Sequence, residues 1–167
     1  HLFTHAFFKA LLFLGAGSVI HSFQNEQDIK NMGGVWRKLP FTYLMMIIGT
    51  LALTGFPFLS GFYSKDAIIE FAYLEKGSLS NYAAAIGIIT AIFTSIYSWR
   101  LIFLTFHGSF NNNKLNVKDL HESPLVMLIP LFLLSVGALF SGVLFKEIFI
   151  GAESSQLFWK DSIMFLE

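Results

Sequence analysis

Two lysines lie inside strongly apolar parts of this sequence, where a charged side chain is costly. Lys9 is near the middle of residues 1–20, which read HLFTHAFFKALLFLGAGSVI, and Lys65 lies in the interrupted stretch TGFPFLSGFYSKDAIIEF. A charged side chain at the centre of a bilayer costs about 2.5–3.5 kcal/mol on insertion scales. We therefore interpret both lysines as parts of an ion or proton pathway.

Two histidines precede the first lysine at helical intervals. His1, His5 and Lys9 are spaced i, i+4, i+8, so a helix would place them along one face. Histidine titrates near neutral pH, and desolvation of a lysine favours its neutral form. The three side chains could therefore form a row of proton-accepting groups, about 6 Å apart and bridged by water.

The same three residues have other interpretations. His5 could serve only as a hydrogen-bonding group between helices, and Lys9 could extend its amine to the membrane surface. The spacing of His1 and His5 also permits two imidazoles to bind one metal ion. However, the sequence supplies no nearby carboxylate to complete such a site, so we predict no metal site.

The second lysine is followed directly by an acidic residue. Adjacent residues on a helix point about 100° apart, so Asp66 need not neutralise Lys65. If a half-helix starts near Gly61, both lie in its first turns, where the helix dipole disfavours a cation and favours an anion. The alternative is an interfacial loop with solvated charges, since Glu70 and Glu75 follow.

A third set consists of hydroxyl side chains. Thr90, Thr94 and Ser98 are also spaced i, i+4, i+8 within an apolar stretch. Hydroxyls can order water along a pathway, but they are also ordinary packing residues between membrane helices. We favour the packing role and keep the water-path role as the alternative.

The composition restricts the class of protein. Hydrophobic residues make up 54% of the chain and charged residues 13%, and the net charge is zero. A soluble domain has about 25% charged residues, so we predict a membrane protein that binds no nucleic acid. Cysteine is absent, which excludes disulfides, thiolate metal sites and iron–sulfur ligation. The sequence also has no nucleotide-binding glycine loop and no nucleophile elbow, so we predict no redox or hydrolytic site in this chain.

The apolar pattern predicts an all-α, polytopic transmembrane helix bundle with four crossings. Residues 40–75 are too long for one straight crossing at about 54 Å, and Gly55, Pro57 and Gly61 interrupt them. We therefore predict two half-helices around a break near 55–61, as in transporters. The predicted membrane domain fragment is 1–145, with helices at about 1–20, 40–75, 82–106 and 124–145, and the tail 146–167 stays unassigned.

The loops give an orientation and one helix start. Five basic residues fall in the loops 21–39 and 107–123, and two fall on the other side, Lys76 and Lys146. Four crossings put these two loops on one side of the membrane, and the positive-inside rule predicts that this is the cytoplasmic or matrix side. Ser123 and Pro124 fit the N-cap and first position of the last long helix.

The ordered series of motifs carries a family likeness. HLFTHAFFKALLFLGAGSVIH, MGGVWRKLP, GTLALTGFPFLSGFYSKD and TSIYSWRLIFLTFHG closely resemble the antiporter-like, proton-pumping membrane subunits of respiratory complex I, NADH:quinone oxidoreductase. The likeness is to the type named chain 5 in mitochondria and chain L in bacteria, and it covers residues 1–145. Mrp-type sodium/proton antiporter proteins are similar too. Because the chain starts with a histidine inside an apolar helix, we expect it to be a fragment of such a subunit.

The resemblance assigns roles to the polar residues. His1, His5 and Lys9 match the His-x3-His-x3-Lys helix in the second of the family's two inverted repeats. Lys65 matches the lysine of the broken helix in that repeat, which is assigned to the proton outlet, and Asp66 matches the acidic residue after it.

One position departs from the family pattern. Phe58 stands where many relatives have the second proline of GxPPxxGF. Pro57 and both flanking glycines remain, so we expect the break to be present with a different backbone geometry.

The resemblance also implies the function and its setting. It implies proton translocation in the membrane arm, coupled to NADH oxidation and quinone reduction in other subunits. NADH, FMN, iron–sulfur clusters and quinone would bind those subunits, and this chain would bind no cofactor. Its partners would be the other membrane-arm subunits, lipid and protons, in a bacterial inner (plasma) membrane or mitochondrial inner membrane. The alternatives are an Mrp-type Na⁺/H⁺ antiporter subunit and a structural membrane-arm segment with no transport role.

Overall fold

The computed structural model describes residues 1–75, 77–112, 115–151 and 154–162. Lys76 and the last five residues of the tail, 163–167, lie outside the described residues. The described parts form six α-helices and no strand, so the prediction of an all-α fold is confirmed. The helices are α1 (Leu2–Ser22), α2 (Pro40–Thr54), α3 (Ser60–Leu74), α4 (Ser78–Phe106), α5 (Leu125–Ile150) and α6 (Ser154–Trp159).

The boundaries differ from the predicted ones in three places. Helix α4 begins four residues before the predicted 82, α5 continues five residues beyond the predicted 145, and α6 falls in the unassigned tail. Pro130 lies inside α5 without ending it, because it is in the second turn of the helix. A proline this close to the start leaves only one or two backbone carbonyls without their usual donor.

Three helices are long and apolar enough to cross a membrane: α1, α4 and α5. Helix α2 is apolar but has only 15 residues, about 22 Å at 1.5 Å per residue. A hydrocarbon core is about 30 Å thick. Helix α2 therefore falls short of a full crossing by itself, as expected for half of a broken helix.

Helix α1 packs against α2 and α5. Phe8 and Leu11 of α1 belong to an apolar core with Leu131 and Ala138 of α5. Helix α4 is peripheral. Only 6% of the residues in its most apolar 18-residue stretch are buried, whereas 33% are buried in the corresponding stretch of α1. The polar groups on α1 are therefore in a position to contact two other helices at once.

The two polar loops meet on one side of the bundle. The backbone N–H of Gly34 donates to the His107 carbonyl at 3.1 Å, and that of Trp36 donates to the Phe106 carbonyl at 3.2 Å. Tyr43 Oη also lies 2.9 Å from His107 Nε2. The two loops therefore share a side, as the four predicted crossings require, although Lys114 of the second loop lies outside the described residues.

The break between α2 and α3 covers residues 55–59, within the predicted interval. Gly55 ends α2 in the left-handed conformation, with φ +81°. Its N–H donates to the Ala52 carbonyl at 3.3 Å, and the N–H of Phe56 donates to the Leu51 carbonyl at 2.9 Å. This is a Schellman arrangement, in which glycine is favoured because it has no Cβ. The glycine that predicted the break therefore also satisfies the carbonyls at the end of α2.

Phe58 has φ +72° in this turn, a left-handed conformation that proline cannot adopt. The expected difference in backbone geometry at this departure from the family pattern is therefore present.

Replacing Phe58 by glycine should stabilise the fold by about 1 kcal/mol. Glycine adopts the left-handed conformation without the strain that phenylalanine has there, and little packing is lost because the phenyl ring is 75% exposed. Phe58→Pro should destabilise the fold. Thermal unfolding of the three purified proteins in detergent measures both effects. Equal melting temperatures for Phe58 and Phe58→Pro would contradict this account.

Candidate functional site

The histidine row of α1 contacts α3 beside its lysine. Nδ1 of His1 lies 2.9 Å from Ser64 Oγ, and the hydroxyl of Thr4 donates to Ser64 Oγ at 2.9 Å. The rings of His1 and His5 have their centroids 5.5 Å apart. A set of polar groups therefore runs from His5 through His1 to Ser64, the residue directly before Lys65.

Local sequence explains why these groups meet. Thr4 and His5 are three and four residues after His1, so one helical turn gathers them on the α1 surface. Ser64 follows Ser60 by one turn, and its hydroxyl also donates to the Ser60 carbonyl at 3.2 Å. Thr4 and Ser64 are only 7% and 6% exposed. Two buried hydroxyls of the site were thus missed by sequence reasoning, which considered only titratable groups and one hydroxyl stripe.

Lys9 follows His5 by one turn of α1, but its side chain lines a different cavity from the one beside His1 and Ser64. It is exposed and lines a cavity of about 480 Å³ between α1, α2 and α4. Thr50 and Ser98 line the same cavity. Ser98 is buried, and its hydroxyl has no hydrogen-bond partner within the described parts of the chain. The structure therefore brings together Lys9 and one member of the predicted hydroxyl stripe.

The other two hydroxyls of the stripe do not line this cavity. Thr94 Oγ1 donates to the carbonyl of Thr90 at 2.7 Å, and Thr90 is exposed. A hydroxyl that bonds its own helix backbone is typical of threonine in membrane helices. The geometry thus separates Ser98, which faces the lysine cavity, from Thr90 and Thr94.

The two charged residues of α3 have different surroundings. Lys65 is half-buried, whereas Asp66 is exposed and lines a cavity of about 420 Å³ between α3 and α4. Glu70 and Tyr73 line that cavity with it. Within the described residues, no hydrogen bond or ion pair joins Lys9 to Lys65. The two lysines therefore occupy separate settings, and the contacts of His1 and Thr4 with Ser64 link their helices by hydrogen bonds.

A second polar cluster lies at the start of α2. The backbone N–H groups of Phe41 and Thr42 donate to Glu122 Oε1 at 2.7 and 3.1 Å, and the Thr42 hydroxyl donates to Oε2 at 2.7 Å. Ser18 Oγ of α1 lies 2.9 Å from Thr42 Oγ1 and 2.7 Å from Ser123 Oγ. Glu122 therefore caps α2 from a distant loop.

The prediction of Ser123 as the N-cap of α5 is wrong. Pro124 occupies the N-cap position, and no side chain caps α5. The Ser123 hydroxyl donates to the Ser18 carbonyl at 3.2 Å instead. A signal for Glu122 was present in the sequence, because Leu39 precedes α2 and cannot cap it, so the first N–H groups of α2 require an acceptor from elsewhere.

No group of three or more histidine, aspartate or glutamate side chains within the described residues could hold a metal ion. The His1 and His5 pair instead has a hydroxyl and aromatic rings as neighbours. Phe8 lies 6.3 Å from the His1 ring and 5.2 Å from the His5 ring, between centroids. These surroundings suit imidazoles that exchange hydrogen bonds with hydroxyls or water.

Comparison with known proteins agrees with these observations. The family model described as NADH:quinone oxidoreductase/Mrp antiporter, TM matches residues 1–94, which include both lysines and the broken helix. The chain belongs to this family. The resemblance inferred from the motifs is thereby confirmed, and the chain is a multi-pass membrane protein.

Curated relatives in the NADH:quinone oxidoreductase/Mrp antiporter family extend the match to nearly the whole chain. NADH-ubiquinone oxidoreductase chain 5 of Marchantia polymorpha is 51% identical over 166 residues, which are 99% of this chain and 24% of the relative. The chain 5 of Arabidopsis thaliana is 50% identical with the same coverage, and that of Phytophthora infestans is 50% identical over 98% of this chain and 24% of the relative. The chain thus spans about a quarter of the length of these relatives.

Proposed function

We propose that this chain is part of the proton-translocating membrane arm of an NADH:quinone oxidoreductase. The observation that carries the proposal is the hydrogen-bonded link from the histidine row of α1 to Ser64 on the broken half-helix of Lys65. It joins the titratable groups of α1 to the residue directly before Lys65 on α3, which supports a pathway that runs through both helices. Family membership and the name of the relatives support the same function.

The chemistry follows from what each group can do with a proton. A histidine can accept a proton at one ring nitrogen and donate the proton of its other ring nitrogen. A serine hydroxyl can both accept and donate a hydrogen bond. A proton released by the Lys9 ammonium would pass along His5 and His1. From His1 it would pass through the Ser64 hydroxyl to the neutral amine of Lys65, which would release it. Asp66, beside Lys65 and exposed, would be an acceptor near the exit.

The redox chemistry belongs to other subunits in this proposal. Those subunits bind NADH, FMN, the iron–sulfur clusters and quinone. This chain contacts lipid and the other membrane-arm subunits, and it contributes part of the proton pathway. The membrane is the mitochondrial inner membrane or a bacterial inner membrane. Relatives named for NADH–ubiquinone oxidoreduction favour this assignment over an Mrp-type Na⁺/H⁺ antiporter subunit. The joint description of the family keeps the antiporter as the second candidate.

Methionine substitutions of the two lysines test the function, because methionine keeps the approximate length of lysine without its charge. Lys9→Met and Lys65→Met should each lower NADH-driven proton pumping several-fold in the assembled membrane complex. Lys38→Met, in the exposed loop before α2, is the control and should pump normally. Pumping is measured as acidification of proteoliposomes, together with the rate of quinone reduction.

Two results would count against the proposal. Normal pumping by both variants in a fully assembled complex would leave only the structural role. A requirement for Na⁺ in the assay, with no response to NADH, would favour the antiporter.

A further inference from the structure

A small cavity lies where α1, α3 and α5 meet. Its volume is about 50 Å³, and its lining includes the polar residues His1, Thr4, Ser64, Ser141 and Lys146. This volume is large enough for one water molecule, which needs two to four polar partners. It is separate from the Lys9 cavity, which is lined by α1, α2 and α4 and not by α5.

Ser141 supplies the strongest indication of a bound water. It is 3% exposed, and its hydroxyl has no hydrogen-bond partner within the part of the chain that the structure describes. Burying a hydroxyl without a hydrogen-bond partner costs free energy, because the group gives up the hydrogen bonds that it makes in water. The preceding serine of α5, Ser135, shows the usual alternative, because its hydroxyl donates to the Phe132 carbonyl at 2.7 Å. Ser141 has no such bond, and it lines the cavity together with His1, Thr4, Ser64 and Lys146.

The other polar lining provides partners for the same water. Ser64 already receives the hydroxyl of Thr4 and contacts His1, so the cavity adjoins the His1–Ser64 link. Lys146 lines the cavity one and a half turns after Ser141, and its Nζ lies 5.6 Å from the centre of the Tyr63 ring. An ammonium over an aromatic face is an attractive arrangement that would hold the side chain near the cavity.

We propose that this cavity binds an ordered water, held by the Ser141 hydroxyl, that opens a second proton branch from the His1–Ser64 link to Lys146. The inference rests on the proposed function. In the step, the Lys146 ammonium first releases a proton at the end of α5. Protonated His1 then gives its proton to the water, and the water gives one of its own protons to the resulting neutral amine of Lys146. His1 becomes neutral, Lys146 becomes an ammonium again, and the water is regenerated.

Two variants in the assembled complex test the branch. Ser141→Ala removes the group that holds the water, and Lys146→Met removes the acceptor while keeping its length. Each should lower NADH-driven proton pumping at least two-fold, and cryo-electron microscopy at water-resolving quality should show a water within hydrogen-bond distance of Ser141 Oγ that is lost in Ser141→Ala. The matched controls are Ser135→Ala, whose hydroxyl bonds its own helix, and Lys38→Met.

The outcomes separate this inference from the proposed function. If Lys9→Met and Lys65→Met lose pumping while both branch variants pump normally, the branch does not exist and the proposed function stands. Absence of water density beside Ser141 in the unsubstituted complex would also overturn the inference. If none of the four lysine and serine variants affects pumping, both the branch and the proposed function are wrong.

Discussion

Replacing Gly61 by alanine should displace the lysine-bearing half-helix and abolish proton translocation. A Cβ at position 61 would collide with the carbonyl oxygen of Ala52 in α2 and lie 2.9 Å from its carbonyl carbon. Both obstacles are backbone atoms, so no side-chain rotation relieves the contact. Helix α3 must move away from α2, at a cost of about 1–3 kcal/mol.

The displacement reaches the site because of helical spacing. Ser64 and Lys65 follow Gly61 by three and four residues, so they lie on its face of α3. The Ser64 hydroxyl is held by contacts of 2.9 Å with His1 and Thr4, which a shift of about 1 Å would break. The variant keeps every titratable group, so a loss of pumping would come from position alone.

Gly17→Ala is the matched control for this prediction. Gly17 is in the interior of α1, and a Cβ there would meet no heavy atom within 4 Å. Alanine is favoured over glycine in a helix interior by up to about 1 kcal/mol, so Gly17→Ala should raise the unfolding temperature, and Gly61→Ala should lower it. Thermal unfolding and NADH-driven acidification of proteoliposomes measure the two effects. Equal pumping by the two variants would show that the close approach of α2 and α3 is not needed.

The break itself was predictable because its causes are local. Gly55 supplies a left-handed residue at the end of α2, and Pro57 cannot continue a helix there. The sequence also indicated that Gly61 belongs to the break, but for a different reason from the real one. Gly61 lies within α3, and the position requires glycine because the Ala52 carbonyl of α2 leaves no room for a Cβ. A contact between helices has no signature in the local pattern.

The hydroxyl partners of the site were not predictable for the same reason. Thr4 and Ser64 are 60 residues apart in the chain, and each by itself is an ordinary packing residue in an apolar helix. The periodicity places His1 and His5 on one face of α1, but it does not indicate which helix that face contacts. Only the packing of α1 against α3 makes the pair part of the site.

The loop before α5 shows how a long-range contact overrides a local preference. Serine followed by proline is a strong helix-start pattern, yet α5 has no side-chain cap and Ser123 bonds to Ser18 of α1. The neighbouring carboxylate of Glu122 caps α2, a helix 80 residues earlier in the chain. The cap of α2 therefore depends on correct assembly of α1, α2 and the 107–124 loop.

Replacing Glu122 by alanine should uncap α2 and loosen this whole corner. Three groups would lose an acceptor: the backbone N–H of Phe41, the backbone N–H of Thr42 and the Thr42 hydroxyl. Hydrogen bonds to ionised groups contribute about 1.5–3 kcal/mol each, but they are not additive, so we expect a loss on the order of 3 kcal/mol. Thr42 is fully buried, so water does not readily replace the carboxylate at its hydroxyl.

The Glu122→Gln variant separates the contribution of the side chain's shape to the stability of the α2 cap from the contribution of its charge. The amide oxygen can still accept from the two backbone N–H groups, whereas the amide nitrogen cannot accept from the Thr42 hydroxyl. We therefore expect an intermediate loss of stability. Hydrogen–deuterium exchange at Phe41 and Thr42 measures the cap directly, with Glu75→Ala on the exposed end of α3 as the control. Unchanged exchange at both amides in Glu122→Ala would show that another group caps α2. Faster exchange confined to the first turn of α2 would show that the carboxylate holds the start of the broken helix in place, at the end opposite to the lysine.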